Sequence, residues 1–443
     1  MSRKLIIFIL ALLVAAAAAV AIMARRDNVK LAFDAVVGAK PDITAPRDEL
    51  IPTVRIARPI GWGDAKPVPA KGLAVNEFAG DLEHPRWMLL LPNGDVLVAE
   101  TNSPPRKGGI QTKIMNWLMG RAGAGVLSPD KILLLRDADG DGRAESHSVL
   151  IDAPNGLHSP FGMALLGNEL LVANTDAVLA YPFQPGQTKI TAKPRKIVAL
   201  PGGGNHWARN LLPAPDGKTI YVTVGSATNI ADDGVEAEEN RAAVLQVNVA
   251  NGRFRIFAGG LRNPNGLAYE PHSGDLWTVV NERDMMGGDI APDYLARVEF
   301  GGFYGWPYSY WGGYVDHRVQ PERPDLLEYT KRPDYALGPH VAALGLSFAA
   351  GANLGPDYAN GAFIGEHGSW NRRPPSGYKV IYVPFGDNGY PVKGAKPVDL
   401  LTGFLDDKGQ ARGRPVGVIL DKTGALLVAD DVGNRIWRVS KAQ

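Results

Sequence analysis

The sequence predicts an all-β chain: a six-bladed β-propeller preceded by an N-terminal signal-anchor or signal helix. Two observations carry the propeller. A strand-turn-strand signature returns six times between Trp87 and Ala429, and a recurrent unit of this size is the mark of a radially repeated fold. The chain also holds 52 Gly and 34 Pro, the supply of tight turns that many short strands need. A third observation, one long apolar run at the N-terminus, predicts the helix.

Arg3 and Lys4 precede that run, which extends from Leu5 to Ala24 and is closed by Arg25 and Arg26. Twenty apolar residues suffice to span a bilayer. Two readings compete: an uncleaved signal-anchor, or a signal peptide cut after Ala19-Val20-Ala21. Either places the body outside the cytoplasm, so a periplasmic protein is expected, tied to the inner membrane by residues 5–24 in the first reading. Residues 1–26 form this segment. Residues 27–75 carry Pro41, Pro46, Pro52, Pro59, Pro67 and Pro69 and read as a linker and entry segment wrapping the domain. Residues 76–443 form the propeller.

The six copies are Trp87–Ala99, Phe161–Ala173, Leu211–Val224, Gly266–Val279, Leu346–Ile364 and Val416–Ala429. Turn dipeptides such as Asn93-Gly94 and Asp216-Gly217 are strong hairpin signals. A third strand follows each copy, starting near Lys131, Ala177, Ala243, Tyr294, Tyr378 and Arg435. No amphipathic helix is expected inside the repeats.

Composition excludes several functions. There are no cysteines, hence no disulfide, thiolate metal site or cysteine nucleophile. A net charge of +1 without a basic run gives no reason to expect nucleic acid as a partner. A membrane is expected to be met only through the N-terminal segment.

The segments leading into the innermost strands meet at one mouth of a propeller channel. They read His84-Pro85-Arg86, His158-Ser159-Pro160, Asn205-His206-Trp207, Arg262-Asn263-Pro264-Asn265, His340 and Arg412-Gly413-Arg414-Pro415. Four of the eight histidines fall in these six slots. Converging guanidiniums suit a polycarboxylate, and a histidine beside them suits proton transfer near neutral pH. Two acidic stretches suit a hard cation. In Asp137–Glu145, Asp137, Asp139 and Asp141 alternate like calcium ligands, but the twelfth position is Ser148, so the loop is not an EF-hand. In Asn281–Leu295, Glu282, Asp284 and Asp289 flank exposed backbone around Gly287-Gly288.

Four motifs together carry a family resemblance: GLRNPNGLAYEP (Gly260–Pro271), NERD with GGFYGWPY (Asn281–Asp284, Gly301–Tyr308), GEHGSWNR (Gly365–Arg372) and RGRPVGV (Arg412–Val418). Over roughly residues 76–440 the chain resembles the pyrroloquinoline quinone (PQQ)-dependent soluble sugar dehydrogenases, the aldose and sorbosone dehydrogenases. The resemblance implies a six-bladed propeller using PQQ and Ca²⁺ to oxidise a sugar or a related alcohol or aldehyde hydrate. It implies His206 as general base, Arg262 as the group polarising the quinone carbonyl, and Asn263 and His340 as cofactor contacts. Arg412 and Arg414 would bind the quinone carboxylates, and the Glu282–Met285 loop would hold calcium, with Asp284, Met285 and Asp289 as expected ligands. Asn205 stands where glucose-oxidising members place an Asp beside the base, and Asn265 replaces a Gln. The family's cofactor-binding Lys has no clear equivalent, so His367 or Arg372 is expected in its place. Electrons would leave to a respiratory acceptor. A calcium-dependent propeller lactonase and a non-enzymatic ligand-binding propeller are the rival readings.

Overall fold

In a computed structural model the described residues are 3–23, 25–47, 53–106 and 108–442. Ala24, which ends the expected apolar run, and Pro52 of the Pro-rich segment lie outside them, as do the chain ends Met1, Ser2 and Gln443 of the expected domain ranges.

The described residues form six sheets, one per signature, antiparallel except that Gly302–Phe303 adds a parallel edge to blade three, with a separate small hairpin Ser309–Tyr310 and Tyr314–Val315. Blade one spans Pro85–Ile151, blade two Met163–Ala199 and blade three Leu211–Gly259. Blade four runs from Asn263–Tyr269 to Tyr335–Pro339, blade five from Ala343–Phe348 to Val398–Thr402, and blade six from Pro415–Leu420 to Arg435–Lys441.

The ring closes through the Pro-rich segment. Blade six takes its outermost strand, Leu73–Ala79, from the other end of the chain, paired antiparallel with Arg435–Lys441. The expected boundary between residues 75 and 76 falls inside this strand. Upstream, Val68–Pro69 adds to blade five beside Leu401 and Thr402.

The second and third strands of the blades are buried on both faces because neighbouring blades pack sheet on sheet. Trp277 of blade four, for example, is fully buried against Phe348 and Phe385 of blade five. Near the axis the blades come closer than two side-chain layers allow. Gly162, Gly266, Gly345 and Gly417 lie in or at the start of four innermost strands, and a Cβ on any of them would lie 2.3–2.8 Å from atoms at the innermost strand of the next blade.

In a meander of this kind the entry to the first strand and the connection from second to third strand share one face. The polar slots and the loops after Glu100, Asn281, Glu366 and Asp430 therefore meet there. Register shifts in the first hairpins of blades one, four, five and six bend the strands at that end. Two insertions enlarge the face. Blade one carries the helix Ile110–Arg121 between its second and third strands, which the sequence did not lead us to expect. Its apolar residues surround most of the helix, so no clean 3.6-residue stripe shows. Blade four sends residues 298–334 on an excursion before its fourth strand.

The N-terminal helix Arg3–Met23 is long and apolar enough to cross a membrane, with mean hydropathy 3.2 and no buried residue.

Gly345→Ala would drive a Cβ to 2.3 Å from the Val416 carbonyl oxygen. The expected loss is about 1–3 kcal/mol of stability, read as a lowered midpoint in thermal or urea unfolding with the β-sheet circular dichroism retained.

Candidate active site

His206 lies ahead of the first strand of blade three and is held from the end of that blade's second strand. Its Nδ1 is 2.8 Å from the Ser226 carbonyl oxygen and 3.0 Å from Ser226 Oγ. A carbonyl only accepts, so Nδ1 carries the hydrogen and Nε2 keeps a free lone pair. Ser226 Oγ in turn donates to the Thr228 carbonyl, 2.7 Å away. Ser226, and not Asn205 at the position where glucose-oxidising members place an Asp, thus orients His206. Asn205 is held instead by Arg106, which donates to its backbone oxygen at 2.9 Å. Burial, reinforced by the charge of Arg262, pulls the His206 pKa well below its ordinary value, so the ring is neutral at physiological pH.

His206 shares a cavity of about 150 Å³ with Arg262, Asn263, Asn281, Glu282, Asp284, Asp293, His340 and Asn371. Arg262 is buried, and burial lowers its pKa from the usual arginine value. It donates to the Asn229 and Glu282 carbonyls at 3.1 and 2.6 Å and to Asn229 Oδ1 at 2.9 Å, and lies 3.4 Å from Asp284 Oδ2. The blade-four excursion steadies this arrangement, since Trp306 Nε1 donates to the Asn229 carbonyl at 3.0 Å. Asn263 donates to Asn281 Oδ1 at 3.2 Å. A Cβ at Gly225 would strike both Asn263 Oδ1 and His206 Cβ, so a glycine there is what lets the imidazole and the amide stand side by side.

Asp284 receives Asn371 Nδ2 at 2.7 Å and faces His340 Nδ1 at 3.3 Å. Burial opposes its ionisation, but the His340 hydrogen bond and the Arg262 charge outweigh burial and hold its pKa at about 2. His340 in turn is raised above its usual value: burial works against its charge, and Asp284 more than restores it. Its Nε2 donates to the Gly287 carbonyl at 3.0 Å.

A second cluster sits at the channel between blades one, five and six. Asp431 is buried and accepts from Arg86 Nη1 at 2.5 Å and from His367 Nε2 at 2.9 Å. His84 Nε2 approaches it at 3.5 Å. Burial pushes His84 and His367 down to about 4, against the pull of Asp431, which leaves both rings neutral near pH 7. Arg414 donates to the Tyr378 hydroxyl at 2.9 Å and pairs with no carboxylate among the described residues. His84 Nε2, Arg86 Nε and Arg414 Nε are buried without a hydrogen-bond partner there.

Several expected site residues stand elsewhere. Arg412 turns away from the channel and donates to the Leu405 carbonyl at 3.2 Å. Arg372 donates to the Gly288 carbonyl at 2.7 Å beneath the N-terminal segment, with its guanidinium over Phe33. The expected calcium cradle is filled by another cation. Arg318 donates to the Asp284 and Met285 carbonyls at 3.1 and 3.4 Å, and Asp289 accepts the Lys30 amide at 2.7 Å outside the cavity. Close-set metal-type oxygens do occur among the described residues, on Asp137, Asp139, Asp141 and Glu145. That turn joins the third and fourth strands of blade one, on the opposite face of the ring. His158 is half exposed and pairs with Asp176. Arg86, Ser226, Asn229 and Asp431 went unrecognised as site residues, and only Arg86 had a sequence signal, its place in a channel slot.

The TrAA12-like family profile matches residues 67–292 and 327–442, passing over most of blade four's third strand and the larger part of its excursion. The chain belongs to the TrAA12-like family. The PQQ-dependent pyranose dehydrogenase of Coprinopsis cinerea is 23% identical over 430 residues, which cover 84% of this chain and 54% of that protein. This chain therefore spans about half the length of that relative. The holo form of that enzyme's PQQ domain superposes with a TM-score of 0.68 at 20% identity, covering 87% of this chain and 100% of that one. A calcium structure of the Trichoderma reesei family AA12 enzyme superposes with a TM-score of 0.68 at 19% identity, covering 88% and 99%. These superpositions bear out the six-bladed propeller.

Glu366, one residue before His367, is fully buried, and both its oxygens lack a partner among the described residues. Burial pushes its pKa up to about 8. The native state thus keeps a proton that the unfolded chain has already lost, and stability falls as pH rises from about 4.5 towards 8. Glu366→Gln should remove that slope. Its stability advantage over the parent should grow by about 1 kcal/mol per pH unit across the window, measured by urea unfolding at pH 5, 6.5 and 8.

Proposed function

We propose that this protein is an extracytoplasmic PQQ-dependent dehydrogenase of a sugar or related alcohol or aldehyde hydrate, with His206 as its general base. The observation that carries the reading is the His206–Ser226 contact: it fixes the tautomer, frees Nε2 and leaves a neutral base in a buried cavity beside Arg262.

PQQ bears three carboxylates, and the channel fits such an anion. Arg414 and Arg86 present buried Nε–H groups without partners, and His84 a buried ring nitrogen. Arg414, Arg86 and His84 would hold the carboxylates, with Asn263, His340 and His367 nearby, while Arg412 and Arg372 drop out of the expected set. When bound, the quinone supplies the two-electron chemistry. His206 Nε2 takes the proton of the substrate hydroxyl. Arg262 has its N–H groups engaged by protein acceptors, so it acts by charge, favouring negative charge that builds in the cavity. Calcium belongs to the same reading as a family cofactor. The carbonyls of Asp284 and Met285 do not offer it a free cradle beside Arg318, so no step is assigned to it.

Electrons leave to a respiratory acceptor outside the chain. The N-terminal helix supports a periplasmic body anchored to the inner membrane. The lactonase reading needs a metal ringed by carboxylates in the channel; among the described residues the close-set carboxylates lie at Asp137–Glu145 on the opposite face, and Asp284 and Asp431 are taken up by arginine and histidine partners.

His206→Asn should lower kcat about 10²–10⁴-fold with PQQ affinity nearly unchanged, assayed on aldoses with an artificial electron acceptor. The acid limb of kcat should lie below the ordinary histidine range, because burial depresses the His206 pKa. Arg414→Leu should weaken PQQ binding about 10–100-fold, one charge-assisted contact, in an absorbance titration. Absence of both quinone absorbance and turnover on any aldose, with PQQ and Ca²⁺ supplied to the wild type, would sink the proposal.

A further inference from the structure

We infer that the cavity-bearing face of the propeller rests on the lipid bilayer, with the blade-one helix Ile110–Arg121 as a second membrane contact beside the N-terminal anchor. The inference deepens the anchored, extracytoplasmic reading and rests on it.

Two observations converge. The first is where the N-terminal helix leaves the body. Just beyond its end at Met23, the Arg25 carbonyl accepts from Arg373 Nη1 at 2.6 Å, and Asn28 Nδ2 donates to the Asn371 carbonyl at 2.9 Å. Asn371 itself lines the cavity and donates to Asp284. A helix that crosses the bilayer therefore delivers the chain to the rim of the active-site mouth. Because Arg25 is already bonded to Arg373 two positions after the helix ends at Met23, a membrane-crossing helix holds that rim close to the lipid surface.

The second is the unpartnered apolar face of the blade-one helix. Ile110, Ile114 and Trp117 are 77%, 53% and 60% exposed. Their i, i+4, i+7 spacing puts them on one face. Leu127, 80% exposed, extends the patch beyond the helix. Arg121 lies over the Trp117 ring with its guanidinium 4.8 Å from the centroid. Residues 101–129 hold four basic side chains and no acidic one, which suits an anionic lipid surface. The insertion also belongs to the cavity side: Arg106, just ahead of the helix, donates to Asn205 next to His206. A helix with an aromatic and aliphatic face and basic flanks lies in the interface plane. Here it lies on the same side as the tether, so one flat surface can satisfy both.

The seating has a functional consequence. The mouth opens towards the headgroup layer, so an electron acceptor diffusing in the membrane reaches it without leaving the bilayer surface.

The chain's lack of cysteine allows a clean test. The full-length protein, as Trp117→Cys, Leu127→Cys or Lys218→Cys, is labelled with nitrobenzoxadiazole and reconstituted into vesicles of phosphatidylcholine and phosphatidylglycerol. Lys218 lies in the first hairpin turn of blade three, on the opposite face. The labels at 117 and 127 should emit further to the blue and be reduced by aqueous dithionite about tenfold more slowly than the label at 218, as for an interfacial helix. Leu127→Cys touches an exposed loop, so it reads the seating even if Trp117→Cys perturbs the fold. Equal reduction rates at all three sites in vesicle-bound protein would overturn the seating and leave the anchor standing. A chain that alkaline carbonate strips from the vesicles would overturn the anchor, and the seating with it.

Discussion

Everything at the active-site face depends on the pairing of Leu73–Ala79 with Arg435–Lys441. A propeller blade is a twisted sheet whose inner edge must meet its neighbours around an axis. Six such blades form a stable ring only when the last is bonded to the first. The closing strand does this with a ladder of backbone hydrogen bonds that joins residues more than 350 apart. Closure in turn forces the innermost strands together, which is why Gly345 and Gly417 have no room for a Cβ.

With the ring closed, short polar segments far apart in sequence face one another at the mouth. Their charges are largely settled within the protein. Asp284 is shared among His340, Arg262 and Asn371, and Asp431 among Arg86, His367 and His84. Such buried pairs contribute little net stability, because desolvation offsets most of the attraction. What they contribute here is position. Arg262 is gripped by Asn229, Asn229 by Trp306 of the excursion, and the cavity wall is rigid before any ligand arrives. Among the described residues of this cluster Arg414 has no carboxylate partner, and that surplus charge is what the proposed anion site rests on.

Much of this was legible in the residues. The six signatures predicted six blades, and the slots before the innermost strands led directly to His206, Arg262 and His340. The failures have physical causes. Arg412 and Arg414 are two residues apart at the start of a strand, where side chains at i and i+2 point the same way only if the backbone is extended. The chain bends at Arg412, whose amide bonds to Phe404, and the two guanidiniums part. Arg318 lies in an excursion without repeat pattern, so nothing linked it to the carbonyls of Asp284 and Met285. Ser226 orients His206 mainly through its backbone carbonyl, a group every residue possesses.

The sequence by itself determined the number of blades, the apolar helix and the chemical types gathered at the mouth, because these follow from periodicity and composition. Tertiary structure decided which of those groups meet. It placed Ser226 rather than Asn205 on His206, set Arg86 beside Asp431, and put Arg318 where a metal was expected. It also brought the end of the N-terminal helix and an exposed apolar helix to one face. Those outcomes depend on loop paths and ring closure, where a hydrogen bond between residues hundreds of positions apart leaves no local pattern to read.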